Sequence, residues 1–323
     1  LQKYMSDNGV KIHTGVAVSR IETSGKSAVS IKTAAMEYPA DAVVLATGGA
    51  SYPQTGSTGD GYRMASELGH RIVRLRPALV PLKVKEKQTA AVLQGISLSD
   101  VRLTSFTCRA ADIDFTAIPR TDRGRGPAAG KSRAPALESR RGGIVFTQEG
   151  LSGPAALLMS LAVADALEEG PVSLAIDLQP GKTMPQLSEQ LTTIISSHGG
   201  RQVKSILSEL LPERMAPAVL TKAGVPANTV SGQLTTVQRQ AIARTLKGLA
   251  FNVAGVGPLA EAMVTAGGVA LDEVDPRTMQ SNIVQGLYFC GELLDLDADT
   301  GGYNLQTAFS TGYLAGECAA HGR

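Results

Sequence analysis

The sequence predicts an α/β fold in which the two ends of the chain share one parallel sheet and the middle is a large insertion. Three observations carry this. Asp41–Gly49, DAVVLATGG, is a continuous apolar run closing on two glycines, the pattern of a parallel strand buried on both faces. Gly286–Ala315 repeats that plan: Leu287-Tyr288-Phe289-Cys290, then Gly291-Glu292, an acidic loop, Gly301-Gly302, and apolar or small residues at Leu305, Ala308, Phe309, Gly312 and Ala315 with helical spacing. Between them, residues 183–249 carry helical periodicity bounded by β-like runs, a nested segment that could cover a ligand site.

In chain order, the first 13 residues look like the end of an amphipathic helix running into a strand. Residues 10–47 predict β structure at Val10–Ile21, Ala28–Ala34 and Ala42–Ala46. Loop chemistry follows at Pro53, Gly56, Gly59 and Gly61, overlapping a helical pattern over Tyr62–Leu68 that stops at Gly69. Residues 72–118 hold short β runs such as Ala78–Leu82 and Leu103–Cys108. Residues 119–142 set Arg120, Arg123, Arg125, Lys131, Arg133, Arg140 and Arg141 against Asp122 and Glu138. A Pro/Gly/Arg run with no hydrophobic period predicts a mobile, solvated loop, and without interleaved aromatics it makes a poor nucleic-acid patch.

A strand at Gly143–Thr147 and a turn at Gly150 and Gly153-Pro154 lead into an apolar helix over 155–167, then a strand at Val172–Leu178. Helical patterns cover Leu187–Ile195, Val203–Leu211, Met215–Ala223 and Val237–Leu249, the last opened by Thr235-x-x-Gln238, a capping box. Mixed β with turns at Gly255, Gly257-Pro258 and Gly267-Gly268 returns over 250–285.

A length of 323 residues allows two or three domains with sizeable cores. A net charge of +2 gives no whole-chain argument for a nucleic-acid or membrane partner. No apolar run approaches the ~20 residues of a membrane span. Cys108, Cys290 and Cys318 form no CxxC, so a reducing cytoplasm fits. His13, His70, His198 and His321 are scattered and define no metal or nucleophile–base site. Asp295-x-Asp297-x-Asp299 resembles the head of a calcium loop, but Thr300 stands where a glycine is needed and Gln306 where a bidentate glutamate is needed. Leu1 is not an initiator methionine, and no charged segment precedes an apolar one as in a secretory signal; the expectation is a chain truncated at its N-terminus.

Two motifs carry chemistry. Ala46–Gly49 followed by Thr58–Gly61 places a Gly-Gly turn at a strand end, where open α/β sheets bind cofactors, with Asp60 available to sugar or ribityl hydroxyls. Gly291-Glu292 with Gly301-Gly302-Tyr303-Asn304-Leu305 adds a second strand end, a carboxylate for sugar hydroxyls and a helix N-terminus whose free N–H groups favour an anion. Thr300 is the helix start signal. Each motif alone is also the pattern of a plain glycine turn; together they favour a cofactor site. The stretch 276–279, PRTM, has no account from spacing.

At these residues the chain resembles the BaiN-like flavoproteins, NAD(P)/FAD-dependent oxidoreductases also described as the aminoacetone oxidase family of FAD-binding enzymes. The matching segments are ATGGASYPQTGSTGDGYRMASELGH, PALVPL, FTQEGLSGPAAL, VTAGGVALDEVDPRTMQS and GLYFCGELLDLDADTGGYNLQTAFSTGYLAG, spread over residues 43–316. More distantly, the two glycine motifs resemble the succinate dehydrogenase and fumarate reductase flavoproteins. PALVPL stands where the fumarate reductase pattern carries a histidine, so that dicarboxylate chemistry does not carry over.

The resemblance implies an FAD-binding domain of the two-dinucleotide-binding, Rossmann-like type, interrupted by a β-barrel-like domain and a small helical domain. It divides the chain into 1–78 (partial FAD-binding domain), 79–182 (inserted β-rich domain), 183–249 (helical), 250–267 (β-rich again) and 268–323 (FAD-binding, C-terminal part). It implies FAD contacts at Val18, Thr47, Gly48, Gly49, Asp60, Gly291, Glu292, Gly301, Gly302, Tyr303, Asn304 and Leu305. Tyr52 and Tyr303 are the proton-transfer candidates. No GxGxxG occurs, so the pyrophosphate cradle of the family is missing and the chain is expected to be the C-terminal part of a longer enzyme. The expected activity is hydride exchange between FAD and a small organic substrate or NAD(P)H, in the cytoplasm, with no nucleic-acid or membrane partner. Ene reduction and amine oxidation stay open as reactions, as do a non-catalytic flavin-binding or redox-sensing protein and an inert fragment.

Overall fold

The structure, a computed structural model, describes residues 2–113, 115 and 136–322. It divides into two compact units, residues 1–75 with 264–323, and residues 76–263.

The first unit begins with α1 (Gln2–Asp7) and an antiparallel meander of β1 (Val18–Ser24), β2 (Ser27–Thr33) and β3 (Glu37–Pro39). The strand expected from Val10 starts only at Val18; residues 10–17 are exposed coil, because β-branched residues form a strand only where a neighbouring strand and a buried face receive them. β4 (Val43–Leu45) pairs in parallel with β13 (Leu287–Phe289), Leu287 opposite Val43 and Phe289 opposite Leu45. The two ends of the chain therefore share a sheet, as their patterns predict. Val43 and Leu45 are buried but Val44 is 39% exposed, so β4 is covered on one face and not on both.

α2 (Asp60–Glu67) follows β4, β5 (Ile72–Ala78) pairs with β12 (Val264–Val269), and α9 (Gly301–His321) packs on β4 and β13. The core gathers Leu45, Met64, Ala65, Leu287, Phe289 and Leu293. α9 buries only part of the expected stripe: Ala315 is buried, joined by Cys318, while Leu305 and Phe309 are each 62% exposed. Apolar residues occupy two sides of this helix, and the side with Ala308, Ala315 and Cys318 permits the closer approach to β13.

The second unit is a closed barrel with strand order β10-β11-β6-β9-β8-β7. Its strands are β6 (Leu82–Val84), β7 (Ser97–Phe106), β8 (Ala136–Phe146), β9 (Gly150–Ser152), β10 (Ser173–Asp177) and β11 (Leu249–Val256). The apolar helix α4 (Pro154–Glu169) packs against β6, β7, β8, β9 and β11, burying Ala155, Ala156, Met159 and Val163. α3 (Lys87–Leu93) is a helix the β-like reading of 72–118 did not anticipate.

The helical segment comprises α5 (Met184–Ser197), α6 (Val203–Leu207), α7 (Ala216–Lys222) and α8 (Thr236–Lys247). The Thr235–Gln238 capping box forms as expected, and a second one, Thr183 with Gln186, opens α5. The expected loop at 119–142 falls mostly on residues outside those described. Its last seven residues are the start of β8, where Arg140 meets Glu138 at 2.5 Å and Arg141 meets Asp100 at 2.7 Å. Among the described residues, no helix is long and apolar enough to cross a membrane.

Candidate functional site

Parallel pairing of β4 and β13 brings their C-terminal ends side by side, so Thr47-Gly48-Gly49 and Gly291-Glu292 leave the sheet together. Gly48 at φ +76° and Gly291 at φ +72° take left-handed conformations that favour glycine. Gly49 is required for a different reason: a Cβ there would lie 2.5 Å from Thr265 Oγ1 and 2.6 Å from Glu292 Oε1.

Glu292 is the hub. Its Oε1 accepts from the Thr265 N–H at 2.6 Å and from Ser51 Oγ at 3.3 Å. The Tyr62 hydroxyl donates to the Glu292 carbonyl at 3.0 Å. Thr265, fully buried, accepts the Ala50 N–H on Oγ1 at 2.9 Å. Glu292 Oε2 has no partner among the described residues. Burial, then the charges of Glu292 and Asp295, push the Tyr62 phenol well above its ordinary value, and burial raises the Cys290 thiol, so both stay protonated near neutrality. The Thr47 hydroxyl is buried without a hydrogen-bond partner among the described residues and packs where a Gly61 side chain would stand.

The acidic loop feeds α9. Thr300 caps the helix, its Oγ1 accepting the Tyr303 N–H at 3.5 Å. Gly301 and Gly302 lie inside the first helical turn and do not form a separate turn before it. Their amides have no partner among the described residues, and a Cβ on Gly301 would meet nothing within 4 Å. Free amides at the head of a 21-residue helix, with the positive dipole end, are groups that could receive a phosphate or a polarised carbonyl. Gly291 ties this helix to the strand end through its N–H, which donates to Thr311 Oγ1 at 3.0 Å.

The remaining residues singled out from sequence distribute as follows. The Asn304 amide closes the acidic loop: Oδ1 accepts the Ala298 N–H at 3.0 Å, and Nδ2 donates to the Ala298 and Thr300 carbonyls at 2.9 Å each. That side chain is committed to shaping the helix start. Asp60 opens α2, exposed, its carboxylate without a partner among the described residues. Val18 is the half-buried first residue of β1. Tyr303 and Leu305 project into solvent from the first turns of α9, 67% and 62% exposed. Tyr52 is 42% exposed and holds φ +47°, a left-handed conformation uncommon for a non-glycine residue.

Ser51, Tyr62 and Thr265 were not singled out from sequence. The only signal for Thr265 was the glycine pair beside it: Gly267-Gly268 lies in the buried strand β12, not in a turn, and a Cβ on Gly268 would stand 2.5 Å from the Leu293 carbonyl. Among the described residues, no group of three or more His, Cys, Asp or Glu side chains is placed to hold a metal.

The chain is 32% identical over 312 residues to a 3-dehydro-bile acid delta(4,6)-reductase of Clostridium scindens, covering 96% of this chain and 69% of that protein. It is 29% identical over 297 residues to a ribosomal RNA dihydrouridine synthase of Haemophilus influenzae, covering 92% of this chain and 64% of that protein. It is 28% identical over 285 residues to the Escherichia coli protein of the same name, covering 87% and 61%. The chain thus spans 61–69% of the length of these relatives. The family described as HI0933-like protein Rossmann domain matches residues 1–318, and the chain belongs to it.

Proposed function

We propose that the protein is an FAD-dependent reductase of a carbon–carbon double bond conjugated to a carbonyl, with NAD(P)H as electron donor. The observation that carries this reading is the junction of β4, β13 and α9: two parallel strand ends closing on glycine turns, and the unpartnered amides of Gly301 and Gly302 at the helix head. The donor set fits a flavin dinucleotide. Two free N–H groups suit a phosphate or flavin carbonyl, Glu292 Oε2 suits a ribityl or ribose hydroxyl, and the Thr47 hydroxyl is an uncommitted polar group at the strand end.

Family membership supports the cofactor, and the relatives' names support the reaction class. A keto steroid with conjugated double bonds and a uracil ring both present an alkene polarised by a carbonyl. Reduced FAD, when bound, would supply a hydride to the β-carbon of such a substrate. This chain's residues would do the rest. The α-carbon takes a proton, for which the exposed phenols of Tyr52 and Tyr303 are the candidates. The helix head would polarise the flavin carbonyl it faces, and Glu292, clamped through Oε1, would present Oε2 in one orientation. Val18, Gly48, Asp60 and Leu305 would complete the cofactor contacts. Three free cysteines support a reducing, cytoplasmic setting.

The test is to purify the whole protein, record flavin absorbance, and mix it without oxygen first with NAD(P)H and then with a 3-keto steroid enone or a uridine-containing RNA. Bleaching by NAD(P)H followed by recovery of colour with either acceptor, and a product heavier by two hydrogens, is the expected result. Bleaching that only an amine produces would replace ene reduction by amine oxidation. A yellow protein that no acceptor reoxidises would point to a sensor, and a colourless one would remove the cofactor assignment.

A further inference from the structure

We infer that Thr265 is the positioning residue of this site, a buried clamp that fixes the two strand-end turns relative to each other; the inference rests on the flavin reading above. Thr265 is 0% exposed and engages both turns at once. Its backbone N–H holds Glu292 Oε1 at 2.6 Å, on the turn after β13. Its Oγ1 accepts the Ala50 N–H at 2.9 Å, on the turn after β4. Ala50 leads into Ser51, whose Oγ is the second donor to the same carboxylate oxygen, at 3.3 Å.

The consequence is an asymmetric carboxylate. Both protein donors fall on Oε1, and Oε2 is left for a hydroxyl of the ligand. A glutamate without this clamp would sample several rotamers and would have to be ordered each time a ligand bound, at a cost in affinity. β12 is suited to the task because all six of its residues are buried and the Gly268 backbone lies against the Leu293 and Leu294 carbonyls, so the clamp is mounted on a closely packed element. Gly49 belongs to the same device, since any side chain there would displace Thr265 Oγ1 or Glu292 Oε1.

The experiment uses the whole protein with Thr265→Val, which keeps the shape and removes the acceptor, and Thr265→Ser, which restores it. Three quantities are read: FAD affinity by quenching of flavin fluorescence, visible circular dichroism of bound flavin, and hydrogen exchange of the Ala50 amide. Loss of a buried acceptor is expected to weaken FAD binding about tenfold in the valine variant and alter its visible dichroism, with serine restoring both. The Ala50 amide should exchange faster in the valine variant alone. A valine variant with a lowered melting temperature but wild-type FAD affinity and dichroism would overturn the inference, leaving Thr265 a packing residue. If the valine variant does not fold, Ser51→Ala removes the other donor to Oε1. About threefold weaker FAD binding then supports the clamp, and unchanged binding overturns it. If the wild-type protein takes up no FAD, the cofactor reading fails separately, and Ala50 exchange alone decides the clamp: protection lost with valine and regained with serine supports it, and unchanged protection overturns it.

Discussion

His70 Nε2 lies 2.7 Å from Ser281 Oγ in an interior where His70 is 3% exposed. Ser281 Oγ already accepts the Ile283 and Val284 N–H groups at 2.9 and 2.8 Å, so its own hydrogen is directed to His70 Nε2. The other ring nitrogen must then carry the proton and donates to the Ala65 carbonyl at 3.1 Å, which fixes a neutral imidazole. The ring meets Phe289 of β13 edge-on at 4.8 Å. This also accounts for the PRTM stretch: Met279, at φ +63°, donates its N–H to the Asp275 carbonyl at 2.7 Å and accepts the Phe289 N–H at 3.0 Å, so the turn braces β13.

The first prediction concerns acid. Burial lowers the His70 pKa below its ordinary 6.5, outweighing the opposing effects of the Ala65 carbonyl and Glu273. The folded protein therefore binds fewer protons here than the unfolded chain. Its contribution to stability is full above pH 6.5 and is lost as pH falls from there through the lowered folded value. Urea denaturation across that range should show a decline that His70→Gln flattens; an equal slope in both proteins would contradict the assignment.

Gly61 and Thr47 should be energetically coupled. A Cβ on Gly61 would run into the Thr47 hydroxyl and would lie 2.9 Å from Leu293 Cδ1. Gly61→Ala is expected to cost about 2 kcal/mol. Adding Thr47→Ala should recover about half of that, a non-additivity a double-mutant cycle would read directly.

In the helical segment, Lys247 Nζ meets Asp177 Oδ2 at 2.5 Å, the Lys182 carbonyl at 2.7 Å and the Gln179 carbonyl at 3.0 Å, with side chains 17% and 11% exposed for Lys247 and Asp177. Lys247→Met leaves a shielded carboxylate without its cation, and chemical denaturation should register a loss of about 3 kcal/mol. The double variant with Asp177→Asn should lose less, because no charge is then stranded.

Gly302 separates folding from cofactor binding. Its Cβ position meets only Thr300 Oγ1, at 4.0 Å, so Gly302→Ala should leave the stability of the flavin-free protein within about 0.5 kcal/mol. Under the proposed function the same change lowers FAD affinity, since the methyl group crowds the amides proposed to receive the ligand. A variant that keeps both stability and flavin would remove this helix from the site.

The sidedness of α9 is checked more simply. Leu305→Gln and Phe309→Gln should each change the melting free energy of this chain by no more than about 0.5 kcal/mol, whereas Ala315→Asp places a charge on the buried face and should cost several-fold more. A large loss at Leu305 would restore the inward face expected from spacing.

Local chemistry determined much of this protein. The apolar runs ending in Gly48-Gly49 and Gly291-Glu292, the cap at Thr300 and the Thr235–Gln238 box all depend on neighbours a few residues away, and each formed as its pattern predicts, save that β4 is covered on one face only. The family was legible for the same reason, since its motifs are short and contiguous. What spacing could not supply is which partner each residue meets. Asn304 closes its loop on Ala298 and Thr300 close by in sequence, but whether α9 buries Leu305 along with Ala315, and whether the chain from Val10 becomes a strand, depend on surfaces brought from elsewhere in the chain. The same holds for Thr265: its two hydrogen bonds span 215 and 27 residues of sequence, and no local pattern records a contact that exists only once β4, β12 and β13 have come together.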